Sequence, residues 1–160
     1  MISLKKIIAK LFAFVVVSNI KQSYGRAAKI QAKTLIKLLK TAKKTKFGLE
    51  HSFDKINSAE DYAQKVPVRD YEEIKKYIDE IKGGSSDILW PGKPKYLAKT
   101  SGTTSGAKYI PITKESMPNH ILSSRNALLF YIHENGDTSF LDGKTIFLQG
   151  SPVLEKINGI

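Results

Sequence analysis

The sequence predicts an α/β chain with a helical front end, followed by strands on either side of a loop rich in glycine and hydroxyl residues. Apolar residues recur at helical spacing over residues 26–46 and again after Asp70. Short runs of β-branched and aromatic residues flank residues 100–108. A chain of 160 residues is long enough for one compact domain with a sizeable core.

The first 20 residues combine positive charge with a short apolar run. Lys5, Lys6 and Lys10 precede the apolar residues 11–17. Three interpretations stay open at this point: a first helix packed on the domain, a secretory signal, or a helix on a membrane surface. Residues 18–21 offer no small-x-small cleavage pattern, and the apolar run is far too short to span a bilayer.

An amphipathic helix is predicted over residues 26–46. Its expected buried stripe is formed by Ile30, Leu35, Leu38, Leu39 and Ala42. Lysines at positions 29, 33, 37, 40 and 44 lie on the opposite face. Gly48 is the expected stop.

Two shorter helices follow, each with a capping signal. Ser58 with Asp61 predicts a capping box for a helix over residues 59–65, and Pro67 ends that region. Asp70 with Glu73 predicts a second capping box. The core positions of the helix that follows are Ile74, Tyr77, Ile78 and Ile81. Gly83 and Gly84 close this helix, and residues 83–94 are expected to form a loop.

The second half is predicted to contain strands and one long helix. Strands are expected at about residues 95–99 and 108–112, with a helix capped by Thr113 over roughly residues 114–133. The expected apolar face of that helix comprises Met117, Ile121, Leu122, Leu128, Leu129 and Ile132. Pro118 falls early in the helix, where proline is tolerated. Residues 135–137 predict a turn and residues 144–148 a buried strand.

The segment Lys99–Lys108 is the candidate functional site. Two glycines, five hydroxyl residues and a closing lysine lie within it. Glycines let the backbone turn tightly and bring its N–H groups close to an anion, while hydroxyls and a lysine add donors and positive charge. This composition suits a loop that wraps a polyphosphate.

Two other interpretations of the segment were weighed. A plain hairpin turn also uses such residues, although this cluster is longer than a turn requires. A Walker-type loop fails on spacing, because three residues separate Gly102 from Gly106 and Ala107 separates Gly106 from Lys108. A Walker loop is also followed by a helix, whereas Ile110-Pro111-Ile112 after this segment favours a strand.

The segment resembles the phosphate-binding loop of adenylate-forming enzymes, and in particular that of the auxin-responsive, acyl-acid amido synthetase family. Three other segments agree with bacterial members of this family: residues 45–48 with His51 and Phe53, residues 66–72, and residues 89–92. The resemblance runs from about Arg26 to the end. It favours a first helix packed on the domain, and it implies that residues 1–160 are the incomplete amino-terminal part of a large domain, without the carboxy-terminal domain.

The resemblance implies an ATP-dependent ligase that adenylates a carboxylic acid and passes the acyl group to an amino acid. The implied nucleotide-binding residues are Thr100, Ser101, Gly102, Thr103, Thr104, Ser105, Gly106 and Lys108. Magnesium is expected with the ATP, but the sequence names no ligand for it and no catalytic residue. The fragment alone is expected to be inactive, and a coenzyme A ligase of the same superfamily is the enzymatic alternative.

The net charge of +11 resides entirely in the first 50 residues. They hold twelve Lys and Arg and one acid, Glu50, whereas residues 51–160 hold fourteen of each sign. Since these lysines recur at helical spacing, a solvated helix face is favoured over a basic nucleic-acid-binding module or an anionic membrane surface, and neither nucleic acid nor stable membrane insertion is expected.

The chain contains no cysteine, which excludes disulfides and thiolate chemistry and is compatible with a reducing compartment, so a cytoplasmic protein is expected. His51, His120 and His133 have no metal-ligand spacing and are expected to be surface or capping residues.

Overall fold

The computed structural model describes residues 3–100, 106–144, 154–158 and 160. The chain divides into two compact units. We call residues 1–27 with 118–154 the helical unit, and residues 28–117 with 155–160 the hairpin unit. The described residues are mostly helical with one two-stranded antiparallel sheet, which agrees with the predicted helical front end followed by strands on either side of the loop.

The helical unit contains α1 (Leu4–Ser23) and most of α6 (Met117–Asn135). Its core is formed by Ala13 and Val17 of α1 with Leu129 and Ile132 of α6. Residues 4–23 thus form a helix packed within its unit. No described helix is both long enough and apolar enough to cross a membrane.

Helix α6 begins later than predicted. Thr113 and Ser116 form a reciprocal turn in which each hydroxyl accepts the other residue's backbone N–H, at 3.0 and 3.1 Å. The helix then starts at Met117, which leaves Pro118 in the first turn, where its missing N–H costs no helical hydrogen bond. Of the predicted apolar face, Leu129 and Ile132 are buried, whereas Ile121, Leu122 and Leu128 are exposed.

The hairpin unit opens with α2 (Ala27–Ala42), which stops four residues before its predicted end. Its core residues are Leu39 and Ala42, while Ile30 and Leu38 of the predicted stripe are exposed. A second short helix, α3 (Lys46–Glu50), follows because Thr45 caps it: the Thr45 hydroxyl accepts the Gly48 N–H at 3.1 Å. Gly48 is therefore a buried residue inside α3, and its prediction as a helix stop was wrong.

The next two helices match their predicted bounds. They are α4 (Ala59–Lys65) and α5 (Tyr71–Lys82). Asp70 and Glu73 form the complete capping box. In α4 only half of the predicted box forms, because the Asp61 carboxylate accepts from Asn57 N–H instead of Ser58 N–H.

The core of the hairpin unit collects the apolar faces of these helices and the loop after α5. Tyr77 and Ile81 of α5 pack with Ile88, and Ile78 is also buried, as the spacing predicted. Phe47 of α3 borders this cluster and the one around Leu39 and Phe53. Helix α5 is thereby fixed along its length.

The sheet consists of β1 (Tyr96–Lys99) and β2 (Tyr109–Ile112), within one residue of the predicted strands. They pair antiparallel, from Tyr96 opposite Ile112 to Lys99 opposite Tyr109. The turn predicted at residues 135–137 is replaced by a helix end: α6 runs to Asn135, and Gly136, at φ +65°, donates its N–H to the Ile132 carbonyl at 2.8 Å. The predicted strand over residues 144–148 lies outside the described residues apart from Lys144.

Candidate phosphate-binding site

The two ends of the glycine- and hydroxyl-rich loop are joined to each other. Thr100 N–H donates to the Lys108 carbonyl at 2.9 Å, and Lys108 N–H donates to the Thr100 hydroxyl oxygen at 3.3 Å. The hairpin pairing thus continues one residue beyond the strands, to Thr100 and Lys108. Thr100 closes the loop, a role that its assignment as a nucleotide ligand did not foresee; its O–H can still donate.

Gly106 has the backbone conformation that this loop requires of glycine. Its φ of +81° lies in the left-handed region, which other residues adopt only with strain. It is exposed, and among the described residues a Cβ added there would meet no atom within 4 Å. Of the predicted ligands, Ser101, Gly102, Thr103, Thr104 and Ser105 lie outside the described residues.

Lys108 lies against the first residue of α5. Its ammonium is 5.2 Å from the centre of the Tyr71 ring, within cation–π range. The Tyr71 hydroxyl in turn accepts the Tyr109 N–H at 2.8 Å. The exit of the loop is therefore attached to α5 through residue 71, a contact that sequence reasoning did not identify.

A second polar cluster lies deeper in the hairpin unit. His51 is buried and is the C-cap of α3, which confirms the expectation of a surface or capping residue in its second form. Its Nδ1 lies 2.8 Å from the Phe47 carbonyl and its Nε2 lies 2.9 Å from an Arg69 guanidinium nitrogen. A guanidinium only donates, so Nε2 is the acceptor and Nδ1 carries the proton. Within the described residues no group of three His, Cys, Asp or Glu side chains could hold a metal ion.

Glu50 and Tyr77 form the other pair in this cluster. The Tyr77 hydroxyl donates to the Glu50 carboxylate, which lowers the pKa of Glu50. Burial of the Tyr77 ring, together with this bond, raises the pKa of Tyr77 to about 12. The sequence signal was the isolation of Glu50 as the single acid among the first 50 residues.

The raised pKa of Tyr77 predicts a loss of stability in alkali. A phenol whose pKa is about 12 when folded and about 10 when unfolded stabilises the fold below pH 10, and the stabilisation is lost as pH rises to 12. We expect the free energy of unfolding to fall by roughly 2 kcal/mol over this window. Urea titrations between pH 8 and 12 measure it, with Tyr77→Phe as the control that removes this dependence. An equal pH slope in both proteins would contradict the assignment.

The described residues define a mostly helical protein with one two-stranded hairpin, whose strands lead into and out of the glycine- and hydroxyl-rich segment. Residues 16–149 match the GH3 family N-terminal domain, and the chain belongs to the GH3 family. The family-level resemblance is thereby confirmed. The chain is also 39% identical over 80 residues to indole-3-acetic acid-amido synthetase GH3.15 of Arabidopsis thaliana. That match covers 48% of this chain but 13% of the plant protein, so the chain spans a small part of its relative's length.

Proposed function

We propose that this chain supplies the phosphate-binding loop of an ATP-dependent acyl-acid amido synthetase of the bacterial type. Residues 1–160 would be the front part of its large domain, working in the cytoplasm. The observation that supports this proposal most directly is at the two ends of the loop: Thr100 and Lys108 bond to each other, and Gly106 is left-handed and exposed. Membership of the GH3 family and the similarity to a plant amido synthetase support the same proposal.

The proposed reaction has two steps. A carboxylate oxygen attacks the α-phosphorus of ATP, the bond between the α-phosphorus and the bridging oxygen breaks, and pyrophosphate leaves. The amine nitrogen of an amino acid then attacks the acyl carbon of the resulting mixed anhydride and loses a proton, and AMP leaves with the electron pair of the broken bond between the acyl carbon and the phosphate oxygen. The first step brings two anions together, so donors that stabilise charge on the departing pyrophosphate speed it.

The loop residues supply those donors in this proposal. The hydroxyls of Ser101, Thr103, Thr104 and Ser105 and the amides of Gly102 and Gly106 bind the β- and γ-phosphates. Lys108 adds a cation at the loop exit, where its ammonium lies on an aromatic ring. A cation–π contact orients the lysine without neutralising it, so its charge stays available to a phosphate. Magnesium would arrive with the ATP, and we assign no ligand to it.

The test is acid-dependent ATP–pyrophosphate exchange, measured on the longest protein that the coding frame containing this chain encodes. We expect exchange with at least one of a broad panel of carboxylic acids, and at least a tenfold loss in the Lys108→Met variant. Lys29→Met, an exposed charge on α2, is the matched control. Absence of exchange with every acid would refute the proposal. Product analysis with amino acids and with coenzyme A then separates amide from thioester formation.

A further inference from the structure

We infer that Tyr71 is a positioning residue that fixes the exit of the phosphate-binding loop, and with it the placement of Lys108. The inference rests on the proposed function, because it assigns Tyr71 a part in binding the phosphates that the loop receives. It begins from two contacts of one side chain: the hydroxyl with Tyr109 N–H and the ring with the Lys108 ammonium.

The hairpin register explains why Tyr109 needs this partner. Along a strand of an antiparallel pair, the backbone N–H and C=O groups of one residue bond to the partner strand, and those of the next residue point away from it. Thr100 and Lys108 bond across the hairpin, and Tyr109 stands at the next position, opposite Lys99. Its N–H therefore points to the outer edge of β2, where the Tyr71 hydroxyl accepts it. The bond ties the outer edge of the strand to the helix at the residue after Lys108.

Tyr71 can hold the loop because α5 is itself held at both ends. The Asp70–Glu73 capping box fixes its first turn, and Tyr77, Ile78 and Ile81 bury its apolar face. At the other end of α5 the Lys82 ammonium lies 4.1 Å from the centre of the Tyr109 ring. The residue after Lys108 is thus attached to α5 by its backbone at one end of the helix and by its ring at the other.

The two contacts of Tyr71 have separable consequences. The hydroxyl fixes the backbone of β2 where the loop ends. The ring holds the long, flexible Lys108 side chain near that exit, which reduces the entropy lost when the ammonium binds an anion. Tyr71→Phe removes the first contact and keeps the ring. Tyr71→Leu removes both.

The experiment titrates the 160-residue chain with inorganic pyrophosphate by calorimetry at fixed salt. We expect Tyr71→Phe to weaken binding about threefold to tenfold and Tyr71→Leu to weaken it further, at a temperature where circular dichroism shows each variant folded. Tyr24→Phe, which removes an exposed phenol from the helical unit, is the matched control and should bind as the unaltered chain does. A purely structural role would lower the melting temperature of the Tyr71 variants and leave the affinity of the folded protein unchanged.

Hydrogen exchange gives a second readout that needs no variant. Pyrophosphate should slow exchange of Tyr109 N–H at least severalfold in the unaltered chain, because a bound anion stabilises the loop exit. Equal affinity in Tyr71→Phe and the unaltered chain, or unchanged exchange at Tyr109 on saturation, would overturn the inference and leave the proposed function standing. Failure of the unaltered chain to bind pyrophosphate would overturn both.

Discussion

Replacing Gly48 by alanine should lower the free energy of unfolding by about 3 kcal/mol, the upper range for overpacking. A Cβ at this position would lie 2.1 Å from the Ala42 carbonyl oxygen and 3.1 Å from the Lys43 Cα. Both are backbone atoms, so no side-chain rotation can relieve the overlap. The chain between α2 and α3 would have to move.

That movement would disturb the contacts that join α3 to the rest of the hairpin unit. Lys46 and Phe47 donate backbone hydrogen bonds to the carbonyls of Asp87 and Ile88, at 2.8 and 3.0 Å. Phe47 also packs edge-on against Tyr77, with ring centres 5.2 Å apart. Shifting α3 therefore weakens the two apolar clusters that Phe47 borders.

Urea unfolding followed by circular dichroism measures the loss. Gly25→Ala is the matched control, since a Cβ there meets no atom of the described residues within 4 Å. Its effect on the free energy of unfolding should stay within about 0.5 kcal/mol of zero or be mildly stabilising. Equal stability of the Gly48 and Gly25 variants would show that the tight approach of α2 to Gly48 does not exist in solution.

Replacing Ser101 and Thr103 together by alanine should reduce affinity for ATP at least tenfold. A hydrogen bond to a charged group contributes about 1.5–3 kcal/mol, and the proposal gives each hydroxyl one bond to a phosphate oxygen. If these hydroxyls serve the ligand and not the fold, the free energy of unfolding should change by less than about 0.5 kcal/mol. The double variant is therefore expected to lose affinity for ATP while its free energy of unfolding stays nearly unchanged.

Calorimetric titration with ATP, alongside thermal unfolding, tests this separation. Thr34→Ala with Thr41→Ala is the control pair, because both hydroxyls donate to carbonyls of their own helix on the exposed face of α2. The exchanged pair Ser101→Thr with Thr103→Ser keeps both donors and should retain most of the affinity. Undiminished binding by the double alanine variant would remove these two residues from the site.

The elements that sequence predicted best are those whose determinants are local. Helix α5 has its capping box and its apolar positions within residues 70–82, and the structure reproduces both ends. The strands at residues 96–99 and 109–112 were likewise signalled by their own composition. Helical periodicity across residues 26–46 was misleading at its end, because the Thr45 cap starts a new helix within the same apolar pattern.

The parts that sequence missed depend on pairs of distant residues. Tyr71 meets Tyr109, and His51 meets Arg69, through hydrogen bonds that no periodicity or cap encodes. Ile121, Leu122 and Leu128 were expected on the apolar face of α6 but are exposed. Helical spacing predicts that a helix has an apolar face, but it does not show whether another element covers that face. For the candidate site, the loop and its lysine remain predictions from the sequence. The structure adds the bonds between Thr100 and Lys108 and the attachment of the loop exit to α5.

The most direct test of the account is a pyrophosphate titration of the 15N-labelled chain, following every backbone amide. If the loop binds phosphates, the amide chemical shifts of residues 102, 106 and 108 and of Tyr109 should change together and saturate with one dissociation constant. Shifts spread over the lysines of α2, weakening steeply with salt and leaving the loop amides unmoved, would show nonspecific attraction to a basic surface and contradict the central claim.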